Sequence, residues 1–160
     1  MYDTILIPTD GSDVAENAID HALDLAETYD ATVHALYVID VTAVDVSLGT
    51  EQVDRIKAGQ LEEMPEVESR ARDATGSIAT RGESRDLSVT EAIVAGRPHA
   101  EIARYAEAND ADLIVMGSAG RGGVKRALLG SVAERTLRTA TVPVLVVDIR
   151  EETEEPKRTS

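Results

Sequence analysis

ADLIVMGSAGRGGVKRALLGS, residues 111–131, is the stretch that decides the fold. Residues 112–116 (DLIVM) are an apolar run of strand length, bounded by turn residues. Five glycines follow, at 117, 120, 122, 123 and 130. A helix is expected from about Ser131 to Thr139. Strand, glycine-rich turn and helix in this order are half of a strand–helix–strand unit.

The rest of the chain repeats that alternation. Residues 3–8 (DTILIP) read as a first strand, ended by the turn signal Asp10-Gly11-Ser12. A helix follows from Ser12 or Asp13, with Glu16 spaced for a capping box behind Asp13. Ala15, Ala18, Ile19, Ala22 and Ala26 form its apolar stripe. Residues 31–39 (ATVHALYVI) read as a second strand. A helix is expected near Glu51, split by Pro65, with a polar second piece over 66–80 interrupted at Gly76. Residues 87–95 form a third strand. Gly96-Arg97-Pro98 then opens a helix whose buried side is Ile102, Ala103 and Ala106. Residues 142–149 (VPVLVVDI) are the fifth strand. This pattern predicts one α/β domain over residues 1–149, a parallel sheet with helices on both faces. The charged end, 150–160, reads as a disordered tail.

Composition narrows the function. The 160 residues carry 30 acidic and 16 basic side chains, a net charge of −14. Such a surface repels nucleic acid. No cysteine is present, which excludes disulfides, thiolate metal sites and a cysteine nucleophile. The start is not a signal peptide and no apolar run spans a bilayer, so a cytoplasmic protein without membrane contact is expected. Excess carboxylate with only three lysines suits high salt. His21, His34 and His99 have no metal-ligand spacing.

Against that acidity, Arg121, Lys125, Arg126, Arg135 and Arg138 cluster around the glycine-rich turn and its helix. Each loop cation alone reads equally as a solvated charge. Glycines let backbone N–H groups approach an anion, and a helix start adds its positive dipole end. The stretch is not a Walker loop, because Lys125 lies between Val124 and Arg126. Nor is it a dinucleotide fingerprint, because the turn after the first strand, PTDGS, has a single glycine. Asp10 reads equally as a turn-former and as a nucleotide or metal ligand. Ser131 reads as a helix cap or a phosphate ligand. Met116 alone reads as core.

Gly117, Gly120, Gly130 and Ser131 follow Gly-x2-Gly-x9-Gly-Ser, which resembles the nucleotide motif of the universal stress protein family. ILIPTDGS, LYVID, ADLIVMGSAGRG and LLGSVAERTLRTATVPVLVV are similar to that family over most of the chain. The resemblance implies a Rossmann-like five-stranded sheet of order 3-2-1-4-5, ATP bound across its carboxyl edge, and a homodimer through the last strand, Val142 to Ile149; Mg2+ is expected with the ATP phosphates. It implies Pro8, Thr9 and Asp10 on the adenosine side and Val38 at the adenine. Met116 and Gly117 would meet the ribose; Gly120, Gly130, Ser131 and Val132, with Arg121 from the basic cluster, would meet the phosphates. ATP binding for signalling is the leading reading. A slow ATPase using Asp10, and an interaction module without nucleotide, are the alternatives.

Overall fold

The computed structural model describes residues 1–41, 65–119 and 129–148. Five strands alternate with helices: β1 (Thr4–Thr9), α1 (Asp13–Tyr29), β2 (Thr32–Asp40), α2 (Pro65–Glu83), β3 (Val89–Gly96), α3 (Pro98–Ala108), β4 (Leu113–Gly117), α4 (Ser131–Thr139) and β5 (Val144–Val147). All pairings are parallel and the order is β3-β2-β1-β4-β5, as the resemblance implied.

Alternation along the strands builds two cores. Ile5, Ile7, Val33, Ala35, Leu113 and Val115 point to the α1 side, against Ala18, Ile19, Ala22, Leu23 and Ala26. Leu6, Leu36, Ile114 and Met116 point the other way, onto Ile102 and Ala106 of α3 and Ala133 of α4. The helical alanines let α1 lie close on β1, and Ile5, Leu6 and Ile7 have no solvent exposure. A central strand covered on both faces reads as a continuous apolar run for this reason.

Three helix ends share one device. Asp30, Asp86 and Asp110 adopt left-handed φ of 55°, 62° and 53°. Behind each, the next residue donates its N–H five residues back: Ala31 to Ala26, Leu87 to Gly82, Ala111 to Ala106, at 2.9, 3.0 and 2.9 Å. These are Schellman ends with aspartate where glycine is usual, tolerated because Asp pays less than most residues for left-handed backbone. Ala31, Leu87 and Ala111 are buried and lead toward the next strand.

Several local expectations change. Ser12, not Asp13, caps α1, its hydroxyl accepting the Ala15 N–H at 3.3 Å. Glu16 makes no capping box; its carboxylate pairs with Arg81 at 3.1 Å. Arg81 also pairs with Asp20, and Arg85 with Asp24 and Glu27, so two α2-side arginines clasp the acidic face of α1. Gly76 does not interrupt α2, which runs unbroken from Pro65 to Glu83. Pro65 is the first described residue of that helix. Ala71, Thr75, Ile78, Ala79 and Gly82 supply the buried stripe and outweigh the polar composition. Ala103 is only half-buried on α3. β5 is four residues, shorter than the 142–149 run. The expected helix near Glu51 and the tail from 150 lie outside the described residues.

His34 on β2 contacts Tyr105 of α3, Nδ1 to hydroxyl 2.7 Å, the rings edge to face. Burial pushes the His34 imidazole below its ordinary 6.5. The unfolded chain therefore binds this proton first as pH falls, and stability is lost on going from above 6.5 downward. Urea melts from about pH 7.5 to about pH 5.5 should show a shallower fall for His34→Gln than for the wild type. Equal slopes would remove His34 from the acid response.

Candidate functional site

The chain enters at β1, builds outward to β3, then returns to β4 on the other side of β1. The reversal therefore lies between β1 and β4. Their ladder pairs Ile5 with Leu113 and Leu6 with Ile114 and then ends. Pro8, which has no N–H to donate, lies in the segment beyond. β1 continues to Thr9 and β4 to Gly117. In sheets of this kind the usual ligand position is the crevice at the carboxyl edge beside such a reversal.

One wall is the turn after β1. Thr9 accepts the Gly11 N–H on Oγ1 at 3.1 Å, and Asp10 accepts the Ser12 N–H on Oδ1 at 2.9 Å. With the Ser12 cap, side chains hold successive backbone donors and fix the turn. Gly11 has φ 81°, which requires glycine, and a Cβ there would stand 3.9 Å from Ala74 Cβ. Thus one oxygen of Asp10 serves the turn, as expected of a turn-forming residue.

The other wall is the turn after β4. Ser118 donates its N–H to Val147 O at 2.9 Å and accepts the Gly130 N–H on its carbonyl at 2.6 Å. Both ends of the glycine-rich stretch, 117 and 130, therefore meet at one point. Gly130 is the N-cap of α4 and has no side chain with which to cap it. Ser131 is not the cap; it is the first helical residue and is exposed. The start of α4 thus presents its first N–H groups and the dipole's positive end beside the end of β4, with no side-chain cap supplied by Gly130 itself.

The remaining predicted residues fall unequally. Pro8 and Thr9 are buried at the end of β1, and Asp10 is half-buried beyond it. Val38 and Val132 are half-buried and pack on the α3 and α4 core. Met116 belongs to that core with its side chain, so only its backbone remains for a ligand. Gly117 is half-buried at the end of β4. Gly120 and Arg121 lie outside the described residues, as do Lys125 and Arg126.

Electrostatics separates two sides. On the α2 side of Asp10 lies an open cleft of about 680 Å3, lined among the described residues by the carboxylates of Asp10, Glu16, Glu66 and Asp73 and by Arg70, with Glu16 also paired to Arg81. Four carboxylates repel a polyphosphate. An anionic group is favoured instead toward Gly117, Gly130 and Ser131. Among the described residues no three His, Cys, Asp or Glu side chains are grouped to hold a metal. No described helix is long and apolar enough to cross a membrane.

Sequence reasoning missed Ser118, Asp148 and Asn17. Ser118 donates its hydroxyl to Asp148 Oδ1 at 2.7 Å, and Asn17 Nδ2 donates to the Asp148 carbonyl at 3.1 Å. Ser118 sits inside the motif but at a variable position of its spacing. Nothing local points to a partner thirty residues away.

Fold and site together define a doubly wound α/β domain with the ends of β1 and β4 on the two sides of the reversal of strand order. The family model of the universal stress proteins spans residues 1–148, and the chain belongs to that family. Universal stress protein MJ0531 of Methanocaldococcus jannaschii is 40% identical over 147 residues, covering 92% of this chain and 82% of that protein. MJ0577 of the same organism is 33% identical over 154 residues, covering 92% and 95%. The solved structure of MJ0577 matches with a TM-score of 0.77 at 32% identity, covering 95% of this chain and 99% of that one. A universal stress protein in complex with cAMP has the same fold, with a TM-score of 0.64 at 24% identity, covering 92% and 97%.

Proposed function

We propose that this protein binds ATP across the carboxyl edge of the sheet and acts as a regulatory stress protein through partners that read the bound state. The observation that carries this reading is the 2.6 Å bond from Gly130 N–H to Ser118 O, which joins the two ends of the glycine-rich stretch beside the start of α4. The adenosine lies along Pro8, Thr9, Asp10 and Val38, with Met116 and Gly117 at the ribose. The phosphates lie on Gly120, Gly130, Ser131 and Val132, with Arg121 as counter-charge and Mg2+ bridging them. Family membership supports the reading, and so does a fold-mate that holds cAMP, an adenine nucleotide. Hydrolysis needs a base and a positioned water. Asp10 already gives one oxygen to Ser12, which favours holding ATP over turning it over.

A homodimer through the last strand fits the same reading. β5 is the edge of the sheet and its Leu145 is 38% exposed, an apolar edge that a second copy would cover. The acidic surface suits a cytoplasm of high salt.

The test is to purify the protein in concentrated KCl, denature it and identify released nucleotide by chromatography. With no Trp and no Phe, the protein adds little ultraviolet background. Near-stoichiometric ATP is expected. A protein that is empty, and also takes up no added Mg-ATP, refutes the reading.

A further inference from the structure

The two walls of the crevice are distant in sequence, and nucleotide binding needs them in register. Ser118 stands where they join. All three of its polar groups are used: the N–H on Val147 O, the carbonyl on Gly130 N–H, and the hydroxyl on Asp148. The residue is 5% exposed, so none of these bonds is readily exchanged for water. Asp148 follows β5 directly, and its carbonyl accepts Asn17 Nδ2 from the second turn of α1. That helix begins at the Asp10 turn. One line of contacts therefore runs from α1 through Asn17, Asp148 and Ser118 to Gly130.

We propose that Ser118 and Asp148, assisted by Asn17, are positioning residues of the nucleotide site: their hydrogen bonds hold the Ser118–Ala119 backbone against which Gly130 docks and set the start of α4 relative to α1. The inference rests on the ATP-binding reading above. Its physical basis is the tolerance of the contact. A Cβ at Gly130 would lie 3.0 Å from Ala119 Cα and 3.2 Å from Ser118 O, so the two backbones already touch. A rotation of the Ser118 peptide must then move Gly130 and the donors behind it. Preorganised donors lose binding energy steeply when displaced. The Ser118–Asp148 bond is charge-assisted and shields a serine that cannot turn elsewhere.

Asp148 carries a negative charge, which separates positioning from electrostatics by sign. If Asp148 acts only as a charge near phosphates, Asp148→Ala and Asp148→Asn should both bind Mg-ATP more tightly. If it positions Ser118, Asp148→Ala should weaken binding, while Asp148→Asn keeps an acceptor and should restore it.

Calorimetric titration of the purified protein with Mg-ATP, paired with melting of the unliganded protein, tests this. Ser118→Ala and Asp148→Ala are each expected to raise Kd about five- to tenfold, with the double variant no worse than either single one. Asn17→Ala is expected to raise Kd about two- to threefold. Asp148→Asn should fall within about twofold of wild type, and unliganded melting should shift by about 2 °C or less in that variant. Single variants that bind like wild type, or an Asp148→Asn no better than Asp148→Ala, overturn the proposal while wild-type binding stands. A wild type that takes up no nucleotide overturns this proposal and the ATP-binding reading together.

Discussion

Gly130→Val should abolish uptake of Mg-ATP, and Gly130→Ala should already cost about tenfold in affinity, equivalent to ~1.4 kcal/mol. The backbone dihedrals do not require glycine, since φ is −70° and ψ is 160°. Space does. The added carbon would stand 3.0 Å from Ala119 Cα, 3.2 Å from Ser118 O and 3.7 Å from Ala119 Cβ. The nearest atoms are backbone, which cannot rotate away as a side-chain end can. The turn must retreat by a few tenths of an ångström, and the 2.6 Å bond from Gly130 N–H to Ser118 O must lengthen. A phosphate held by the start of α4 then meets displaced donors. Valine adds two methyls on a stiff χ1, and about 1–3 kcal/mol of stability should go with the binding. The sequence alone suggests that a side chain here strikes the ligand; the structure shows that it strikes the protein first. Titration with Mg-ATP alongside urea unfolding checks both effects. Unchanged affinity in Gly130→Ala would mean the phosphates lie elsewhere.

What the sequence reveals follows from which interactions are local. Strand order and helix stripes are legible because burial on both faces of β1 forces the run ILI, and helical spacing forces Ala15, Ala18, Ile19, Ala22 and Ala26. The glycine motif is legible because close approach leaves a compositional trace at fixed spacing. The sequence leaves the cap of α1 open between Ser12 and Asp13 because both are competent acceptors, and the structure selects Ser12. With Ser12 as the cap, Ala15 takes the third helical position and Glu16 falls one residue past the place a capping box needs. Gly76 misled because helix propensity favours a break there, while Ala71, Ile78 and Ala79 bury enough apolar surface to keep α2 whole. Asp30, Asp86 and Asp110 were invisible as helix ends because aspartate marks starts more often than stops. The Asn17–Asp148–Ser118 line left no trace at all. Its bonds span 131 and 30 residues, and such contacts are decided by topology.

Gly96→Ala should destabilise the fold by about 2–3 kcal/mol, from backbone strain and a collision together. Pro98 is the first residue of α3 and restricts Arg97 to extended backbone, here φ −83° and ψ 125°. The reversal from β3 into α3 therefore falls on Gly96, which takes φ 156°. A non-glycine residue there is strained whatever space surrounds it. Space is also lacking: the new Cβ would lie 2.6 Å from Glu101 Oε2, 2.7 Å from its Cγ and 2.9 Å from its Cδ. The carboxylate could swing aside, but Cγ is too near the backbone to clear by rotation of the tip alone. Moving it also breaks the contact with Arg104, at 2.9 and 2.8 Å. That pair adds little, because the Arg104 side chain is 70% exposed. The gain from a less flexible unfolded chain, about 0.4–1 kcal/mol, does not offset strain of this size. Two variants divide the cost. Gly96→Ala combined with Glu101→Ala should recover the collision and leave the strain, about 1–2 kcal/mol in urea unfolding. Full recovery in the double variant would mean that β3 adjusts its end freely and that Glu101 alone dictates glycine at this turn. Gly96 pairs with Asp40 across the carboxyl ends of β3 and β2, so the strain falls on the same edge of the sheet as the crevice, two strands away from it. Loss of nucleotide affinity should accompany the loss of stability, and more mildly than at Gly130, because Gly96 touches neither wall of the crevice.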